Sequence, residues 1–482
     1  MSTDIVIAFA VYFSILLLIG YLSHKKQKTA ADFIMGNRSL NYWVIALSAH
    51  ASDMSSWLFM GFPAAIYVRG LSQAWIAIGL LMGMFLTWQF VAKKLRTLTE
   101  QYDSCTLSTF FERRFNDTSG TIRTVTALMS VIFLSCYLAA GLIGMGILFE
   151  SVFGIDYYVG MTLATIVVIT YTFSGGFITV AWTDLFQALF LLAMIIIVPS
   201  VAYMKLANGA QSIESSALAK QINLHIMPTV SKDSILTILF LVFGWGLGYF
   251  GQPHIITKFM GIRKAEELTK SKYVGMTWMV ITLTAATFVG LVGIAYFHDQ
   301  LAKPELVFVE MVKSLFHPLI GGFILCGIIA ASISTMDSQI LVCSSVLSED
   351  FYKHIVRKNA SPLELLRVTR GAVIVVALLA LFIAFRKSAT VMDSVSYAWS
   401  GLGASFGPLV LMSLYSKKAN KYGAVAGIIT GGLAAGTWEH INPYITDYTI
   451  MTMIPGFILS SLAIYSVSAL TSCKKSVVEA RN

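Results

Sequence analysis

The chain of 482 residues is 56% hydrophobic and only 12% charged, with a mean hydropathy of +0.74. A soluble domain has about 25% charged residues, so this composition excludes a soluble globular protein. The apolar segments are too long and continuous for barrel strands, and we predict an all-α protein that crosses the membrane many times.

Several other function classes are disfavoured by what the sequence lacks. The formal net charge of +9 does not indicate a nucleic-acid partner, because the basic stretches have no interleaved aromatic residues. The five cysteines include no CxxC pair, so neither a disulfide framework nor a zinc site is indicated. There is no Walker A or H-E-x-x-H motif, which argues against ATP hydrolysis and a zinc-dependent intramembrane hydrolase.

Thirteen apolar segments are candidates for transmembrane helices, which need roughly 20 residues each. They run over residues 4–22, 40–67, 72–92, 122–150, 157–175, 178–204, 233–256, 273–297, 315–347, 370–385, 390–415, 422–439 and 449–470. We expect the first to be a retained helix, because its basic flank follows it rather than precedes it. Residues 174–176 (Ser-Gly-Gly) are predicted to form a tight turn between the fifth and sixth segments.

The positions of Lys and Arg predict the orientation of these helices. With the N-terminus outside and the C-terminus inside the cell, inside segments hold 26 of the 34 Lys and Arg residues and outside segments hold 8. The basic loops are also expected to contact anionic membrane lipids. We predict a loop with a short surface helix at 205–232 outside, and short helices along the membrane at 94–121 inside.

The second apolar segment is predicted to be interrupted at residues 48–56, which are rich in polar side chains. Residues 47–61 contain Ser48, His50, Ser52, Asp53, Ser55 and Ser56. An ionised carboxylate at membrane depth costs several kcal/mol unless it faces protein, water or a cation. The pattern predicts a helix that unwinds and offers backbone carbonyls to a cation; the alternative is a buried aspartate satisfied by neighbouring hydroxyls.

The seventh segment is interrupted as well, at residues 244–253, which include four glycines and one proline. The two interrupted segments are five helices apart, so they enter the membrane from opposite sides. This arrangement indicates an inverted repeat with a binding site at mid-membrane. A glycine-rich packing seam is the alternative for the seventh segment alone.

The ninth segment supplies hydroxyl groups suited to a cation. Ser334 and Thr335 lie on or near one helical face, and their oxygens with the Ala51 and Met54 carbonyls would form a sodium cage. Hydroxyls that only join helices to one another are the alternative.

Two further carboxylates indicate a possible second cation site or a proton relay. Asp184 and Asp337 are predicted to meet Ser334 and Ser338. A capping or topological role is the alternative for Asp184.

Aromatic residues of the fourth and seventh segments indicate a site for a small organic solute. The candidate lining residues are Tyr137, Trp245, Tyr249, Gln252 and Pro253. Packing or interface anchoring is the alternative for such aromatic residues. His254 is interpreted as a satisfied polar residue, whereas His50 lies within the interruption itself.

The whole chain resembles the sodium:solute symporter family, and within it the bacterial sodium/proline symporters. The resemblance is carried by residues 51–61, 174–184, 244–255, 334–345 and 396–408, in the same order along the chain. It implies one transmembrane domain, 1–482, with a LeuT-type 5+5 inverted repeat and 13 transmembrane helices. The extra N-terminal helix would be 4–22, the repeats 40–204 and 233–415, and the two C-terminal helices 422–470.

The resemblance also implies the roles of particular residues. Sodium would be held by Ala51, Met54, Ala331, Ser334 and Thr335, with Asp53, Ser55 and Ser56 coupling it to the solute. Tyr137, Trp245, Tyr249 and Pro253 would line the site for L-proline. His50 and Ser56 depart from the residues expected in this branch, so another small carboxylate or amine is the alternative solute.

The resemblance implies a symporter in the bacterial inner membrane that is not an enzyme. It would need no cofactor beyond the coupling Na⁺ and no obligate protein partner. Two rival classes are an intramembrane enzyme that uses Asp53, Asp184 or Asp337 as a carboxylate pair, and a transporter-like sensor. The enzyme would need two acids close together, and the sensor would need a signalling domain, which we do not find after the last span.

Overall fold

The computed structural model describes residues 3–23, 29–227, 231–385 and 390–479. Ten α-helices form the first part of this chain. They are α1 (Thr3–Ser23), α2 (Ala30–Met35), α3 (Tyr42–Ala51), α4 (Gly61–Arg69), α5 (Ala74–Thr87), α6 (Lys93–Gln101), α7 (Leu107–Arg114), α8 (Thr121–Phe153), α9 (Tyr157–Met204) and α10 (Ala210–Ala219).

Nine α-helices form the second part. They are α11 (Lys232–Gly246), α12 (Pro253–Met260), α13 (Leu268–Tyr296), α14 (Val307–Leu315), α15 (Pro318–Ser345), α16 (Pro362–Ala384), α17 (Val391–Tyr415), α18 (Lys421–Ile445) and α19 (Met453–Glu479). The described residues contain no strand, only an isolated bridge between Leu40 and Ile262. The prediction of an all-α protein is confirmed.

Nine helical stretches of the described chain are long and apolar enough to cross a membrane. The remaining predicted spans correspond to the interrupted pair α3–α4, the first part of α9, α17 and α18. The total of thirteen spans and the repeat boundaries therefore stay predictions. The short helices α6 and α7 near 94–121, and α10 within 205–232, lie where the sequence predicts them.

A single glycine makes the predicted turn at 174–176. Gly176 has φ 70° and ψ 178° inside α9, and it divides this helix into two parts. A side chain would be strongly disfavoured at these angles, whereas glycine adopts them readily.

Both predicted interruptions exist, and their limits are now defined. Helix α3 continues to Ala51, and residues 52–60 contain only a short 3₁₀ turn, Ser56–Leu58, before α4 begins. This first break starts four residues later than predicted, because Ser48 and His50 remain helical. The second break, Leu247–Gly251, is a 3₁₀ turn between α11 and α12. Pro253 starts α12, where its missing N–H is not needed.

The first break is surrounded by other helices rather than by the membrane. Helix α3 packs on α9 and α13, while α15 packs on α8 and α9. Helix α17 packs against α8 and against the second break, and α18 pairs with α19. Every residue from Val44 to Ala64 is buried. Irregular backbone at membrane depth is tolerated only where protein or a wet cavity covers it, and the packing meets this condition.

Candidate functional site

Helix α15 meets the first break through two hydroxyl groups. Ser334 Oγ donates a hydrogen bond to the Ala51 carbonyl at 2.9 Å, and Thr335 Oγ1 lies 3.4 Å from the same oxygen. Both hydroxyls also lie within 3.2 Å of the Ala331 carbonyl. Four of the five predicted sodium ligands therefore lie together, and the fifth, Met54, is buried three residues after Ala51.

Asp53 connects the two breaks. Its Oδ2 accepts a hydrogen bond from the hydroxyl of Tyr249, and its backbone carbonyl accepts one from Trp57 Nε1 at 3.0 Å. Its Oδ1 is buried and has no hydrogen-bond partner among the described residues. The first break thus holds a carboxylate oxygen that no donor in the described part of the chain satisfies.

Ser55 and Ser56 are also buried in the first break. A Cβ atom on Gly144 of α8 would lie 2.5 Å from Ser56 Oγ. Because Gly144 has no side chain, it leaves space for Ser56, one of the two residues that depart from those expected from the resemblance. The Ser56 hydroxyl has no hydrogen-bond partner among the described residues.

The second break is held by Trp399 of α17. Gln252 Nε2 donates to the carbonyls of Gly248 and Trp399, at 3.3 and 3.1 Å. Trp399 Nε1 donates to the Trp245 carbonyl at 3.0 Å, and its ring meets Tyr249 edge-on at 4.9 Å between centroids. The predicted lining residues Trp245, Tyr249 and Gln252 thus form one cluster around a tryptophan that sequence reasoning missed.

Tyr137 approaches this cluster from α8. Its ring meets that of His254 edge-on at 5.4 Å, beside Pro253. A cavity of about 30 Å³, lined by Pro253, His254 and Ser338 among others, extends from here towards α2 and α7. This volume holds about one or two waters, so the passage beyond the two breaks is narrow.

The prediction for Asp184 and Asp337 is wrong in its contacts. Asp184 Oδ2 accepts hydrogen bonds from Ser48 Oγ at 2.6 Å and from Lys258 Nζ at 3.0 Å. Asp337 Oδ1 accepts one from Thr172 Oγ1 of α9 at 2.6 Å. Neither carboxylate is hydrogen-bonded to Ser334 or Ser338. Asp337 follows Ser334 by about one helical turn, and its hydrogen bond to Thr172 directs its Oδ1 towards α9.

Ser338 contacts the first break instead, because its hydroxyl lies 2.8 Å from the hydroxyl of Ser52. The sequence placed Lys258 in an inside basic segment, but its side chain is only 2% exposed and pairs with Asp184. Its neighbours Ile256, Phe259 and Met260 are apolar, but they do not show which way the lysine faces.

His50 faces away from the first break. Its Nε2 accepts a hydrogen bond from Trp88 Nε1 at 3.2 Å, and its ring lies 6.0 Å from that of Trp278. A Cβ atom on Gly275 of α13 would come within 2.3 Å of the imidazole. The histidine therefore fills a space between α3 and α13, and it does not set the volume between the breaks.

Comparison with known families gives one match over most of the chain. The model of the sodium:solute symporter family matches residues 33–431. The high-affinity proline transporter PutP of Bacillus subtilis (strain 168) is 42% identical over 96% of this chain and 97% of its own. The sodium/proline symporter of Staphylococcus aureus (strain JH9) is 42% identical over 98% of this chain and 94% of its own.

Solved structures share the fold at low sequence identity. A Na⁺-coupled sialic acid symporter in a substrate-bound outward-open state superposes with a TM-score of 0.82 and 20% identity, covering 97% of this chain and 98% of its own. MhsT in complex with L-phenylalanine superposes with a TM-score of 0.54 and 14% sequence identity, covering 88% of this chain and 97% of its own. The predicted LeuT-type fold is confirmed by these superpositions.

Proposed function

Since the chain belongs to the sodium:solute symporter family, we propose that it imports L-proline together with sodium ions by alternating access. The relatives that are 42% identical are named for proline transport or for sodium/proline symport. We further propose that it lies in the bacterial inner membrane with its N-terminus outside and its C-terminus in the cytoplasm. The distribution of Lys and Arg supports this orientation.

The observation that carries the proposal is the meeting of α15 with the end of α3. The carbonyl of Ala51 has lost its helical partner at the break, and the Ser334 hydroxyl lies 2.9 Å from it. Oxygens from an unwound helix and from a neighbouring helix are the ligands that transporters use for Na⁺. We assign sodium to Ala51, Met54, Ala331, Ser334 and Thr335.

Asp53 would couple the ion to the solute. Its Oδ1 has no described partner, and its Oδ2 receives the hydroxyl of Tyr249 from the second break. A sodium ion near Asp53 would fix this link and so order the residues that face the solute, including Ser55 and Ser56. Sodium and proline then raise one another's affinity by the same factor.

The solute would lie against the aromatic residues around the second break. Tyr137, Trp245 and Tyr249 present ring faces and edges, and Gln252 and Pro253 complete the wall. Aromatic walls with few polar groups suit a small ring compound. The driving force for import would come from the sodium ion and not from a covalent change of the solute. Inward movement of one positive charge gains about 2.3 kcal/mol per 100 mV of membrane potential.

The test is uptake of labelled L-proline into proteoliposomes with an imposed inward sodium gradient. We expect uptake that requires the gradient and increases when the interior is negative. A panel of unlabelled amino acids and small amines added outside establishes the solute. Gradient-independent uptake would contradict sodium coupling, and competition by another carboxylate or amine but not by proline would assign the site to that solute.

A further inference from the structure

A lysine lies where the sequence placed a second cation site. Lys258 lies in α12, five residues after Pro253 at its start, and its side chain is 2% exposed. Its Nζ lies 3.0 Å from Asp184 Oδ2, and the Asp184 side chain is fully buried. The ring of Phe177 lies 5.4 Å from the same ammonium group.

The surroundings of this pair resemble a cation site in their chemistry. Ser48 Oγ donates to the same carboxylate oxygen at 2.6 Å, and Asp184 Oδ1 has no hydrogen-bond partner among the described residues. The hydroxyl of Ser52, four residues after Ser48, lies 2.8 Å from the hydroxyl of Ser338 in α15. A carboxylate with several hydroxyls nearby would attract a free cation if the ammonium group were absent.

Stability alone does not explain the ion pair. Replacement of a buried ion pair by apolar residues of similar volume is often neutral or stabilising, whereas removal of one partner costs about 3–5 kcal/mol. The pair is also placed at a functional position, because Ser48 and Ser52 flank Ala51, whose carbonyl belongs to the predicted sodium cage. Lys258 lines the narrow cavity that extends from the breaks towards α2 and α7.

We propose that the ammonium group of Lys258 is a built-in cation that takes the place of a second sodium ion at Asp184. The transporter then moves one sodium ion with each solute molecule, because the second cation is attached to α12 and cannot leave. This inference rests on the proposed function and adds its stoichiometry. It replaces the predicted second cation site of Asp184, Asp337 and Ser338.

The stoichiometry can be read from the solute gradient at which net uptake stops. With the membrane potential held at zero and a tenfold sodium gradient, one ion per solute supports about a tenfold solute gradient, whereas two ions support about a hundredfold gradient. We expect about tenfold for the wild-type protein in proteoliposomes. A value near a hundredfold would overturn the inference while leaving sodium-coupled uptake intact. Absence of any sodium-driven uptake would overturn the proposed function instead.

Three variants test the role of the lysine itself. Lys258→Met leaves Asp184 unpaired, and we expect this variant to recruit a second sodium ion, which makes proline binding depend more steeply on sodium concentration. Asp184→Asn combined with Lys258→Met removes both charges, and we expect it to return to the shallower dependence. Lys353→Met is the matched control, because Lys353 pairs with Glu349 but is 44% exposed.

Binding of labelled proline to the purified protein in detergent measures this dependence without turnover. An unchanged sodium dependence in Lys258→Met, or equal changes in Lys258→Met and the double variant, would overturn the inference. If Lys258→Met does not fold, Lys258→Gln, which keeps a polar group, is measured in its place. The wild-type gradient decides the stoichiometry independently of every variant.

Discussion

Asp53 and Asp184 are both fully buried, and both contact the broken span formed by α3 and α4. Asp53 receives one neutral donor, the hydroxyl of Tyr249, whereas Asp184 receives an ammonium group as well as a hydroxyl. Both carboxylates keep one oxygen without a hydrogen-bond partner among the described residues. The charge of Asp184 is therefore balanced by the protein, and that of Asp53 is not.

This difference separates a site that needs a cation from outside from a site that already contains one. An ionised carboxylate in the membrane interior is costly unless a positive charge lies near it. At Asp53 a sodium ion would supply that charge in each transport cycle. The ion pair of Asp184 and Lys258 joins α9 to α12, and in the proposed mechanism it remains through the cycle.

The largest effect is expected for Asp53→Asn. The variant removes the one carboxylate of residues 52–60, and we expect sodium-driven proline uptake to fall at least ~100-fold, on the scale of the ~3 kcal/mol that loss of a buried charge partner costs. Uptake as a function of sodium concentration is the measurement. Asp233→Asn, at the exposed start of α11, is the matched control. Normal sodium activation in Asp53→Asn would show that the charge is balanced by other groups.

The next effect is expected for Ser334→Ala combined with Thr335→Ala. Each lost hydroxyl ligand is worth about 1 kcal/mol, so the apparent affinity for sodium should fall roughly 30-fold while the protein still folds. The matched control is Ser332→Ala with Ser344→Ala, because these hydroxyls bond to carbonyls of their own helix at 2.9 and 3.1 Å. Equal loss in both double variants would point to packing rather than to ion binding.

Tyr249→Phe tests the link between the two breaks. Loss of a hydrogen bond to a carboxylate costs about 1.5 kcal/mol, and we expect the apparent affinities for sodium and for proline both to fall about 10-fold. Tyr67→Phe is the control, since its hydroxyl accepts a hydrogen bond from Leu301 N in a connecting segment. A change in proline affinity with unaltered sodium affinity would remove Tyr249 from the coupling and leave it a solute contact.

The smallest effect is expected for His50→Gln. The imidazole accepts one hydrogen bond from Trp88, and its loss should lower the free energy of unfolding by about 1 kcal/mol or less. Thermal unfolding measures this change. The pattern of solute competition should stay the same, because the ring faces α13 and not the breaks; an altered pattern would place His50 in the solute site.

Local properties of the sequence were enough to show that two membrane spans are interrupted, and approximately where. Hydropathy identifies apolar helices, and polar residues, glycines and a proline interrupt them, so neighbouring residues alone predict interruptions at 48–56 and 244–253. The observed breaks, 52–60 and 247–251, overlap these ranges but have different limits. The hydroxyls of Ser334 and Thr335 were paired correctly with Ala51, because the resemblance and the cation chemistry agreed.

The partners of the other carboxylates were decided only by tertiary structure. Lys258 and Asp184 are 74 residues apart, and Thr172 and Asp337 are 165 apart. A break interrupts the helical periodicity, so the buried face of α11 does not show which face of α12 is buried. The sequence before the second break therefore does not show which way Lys258 faces. The side chain looks like one of many basic residues near a helix end, and only the packing of α12 against α3 and α15 directs it into the protein.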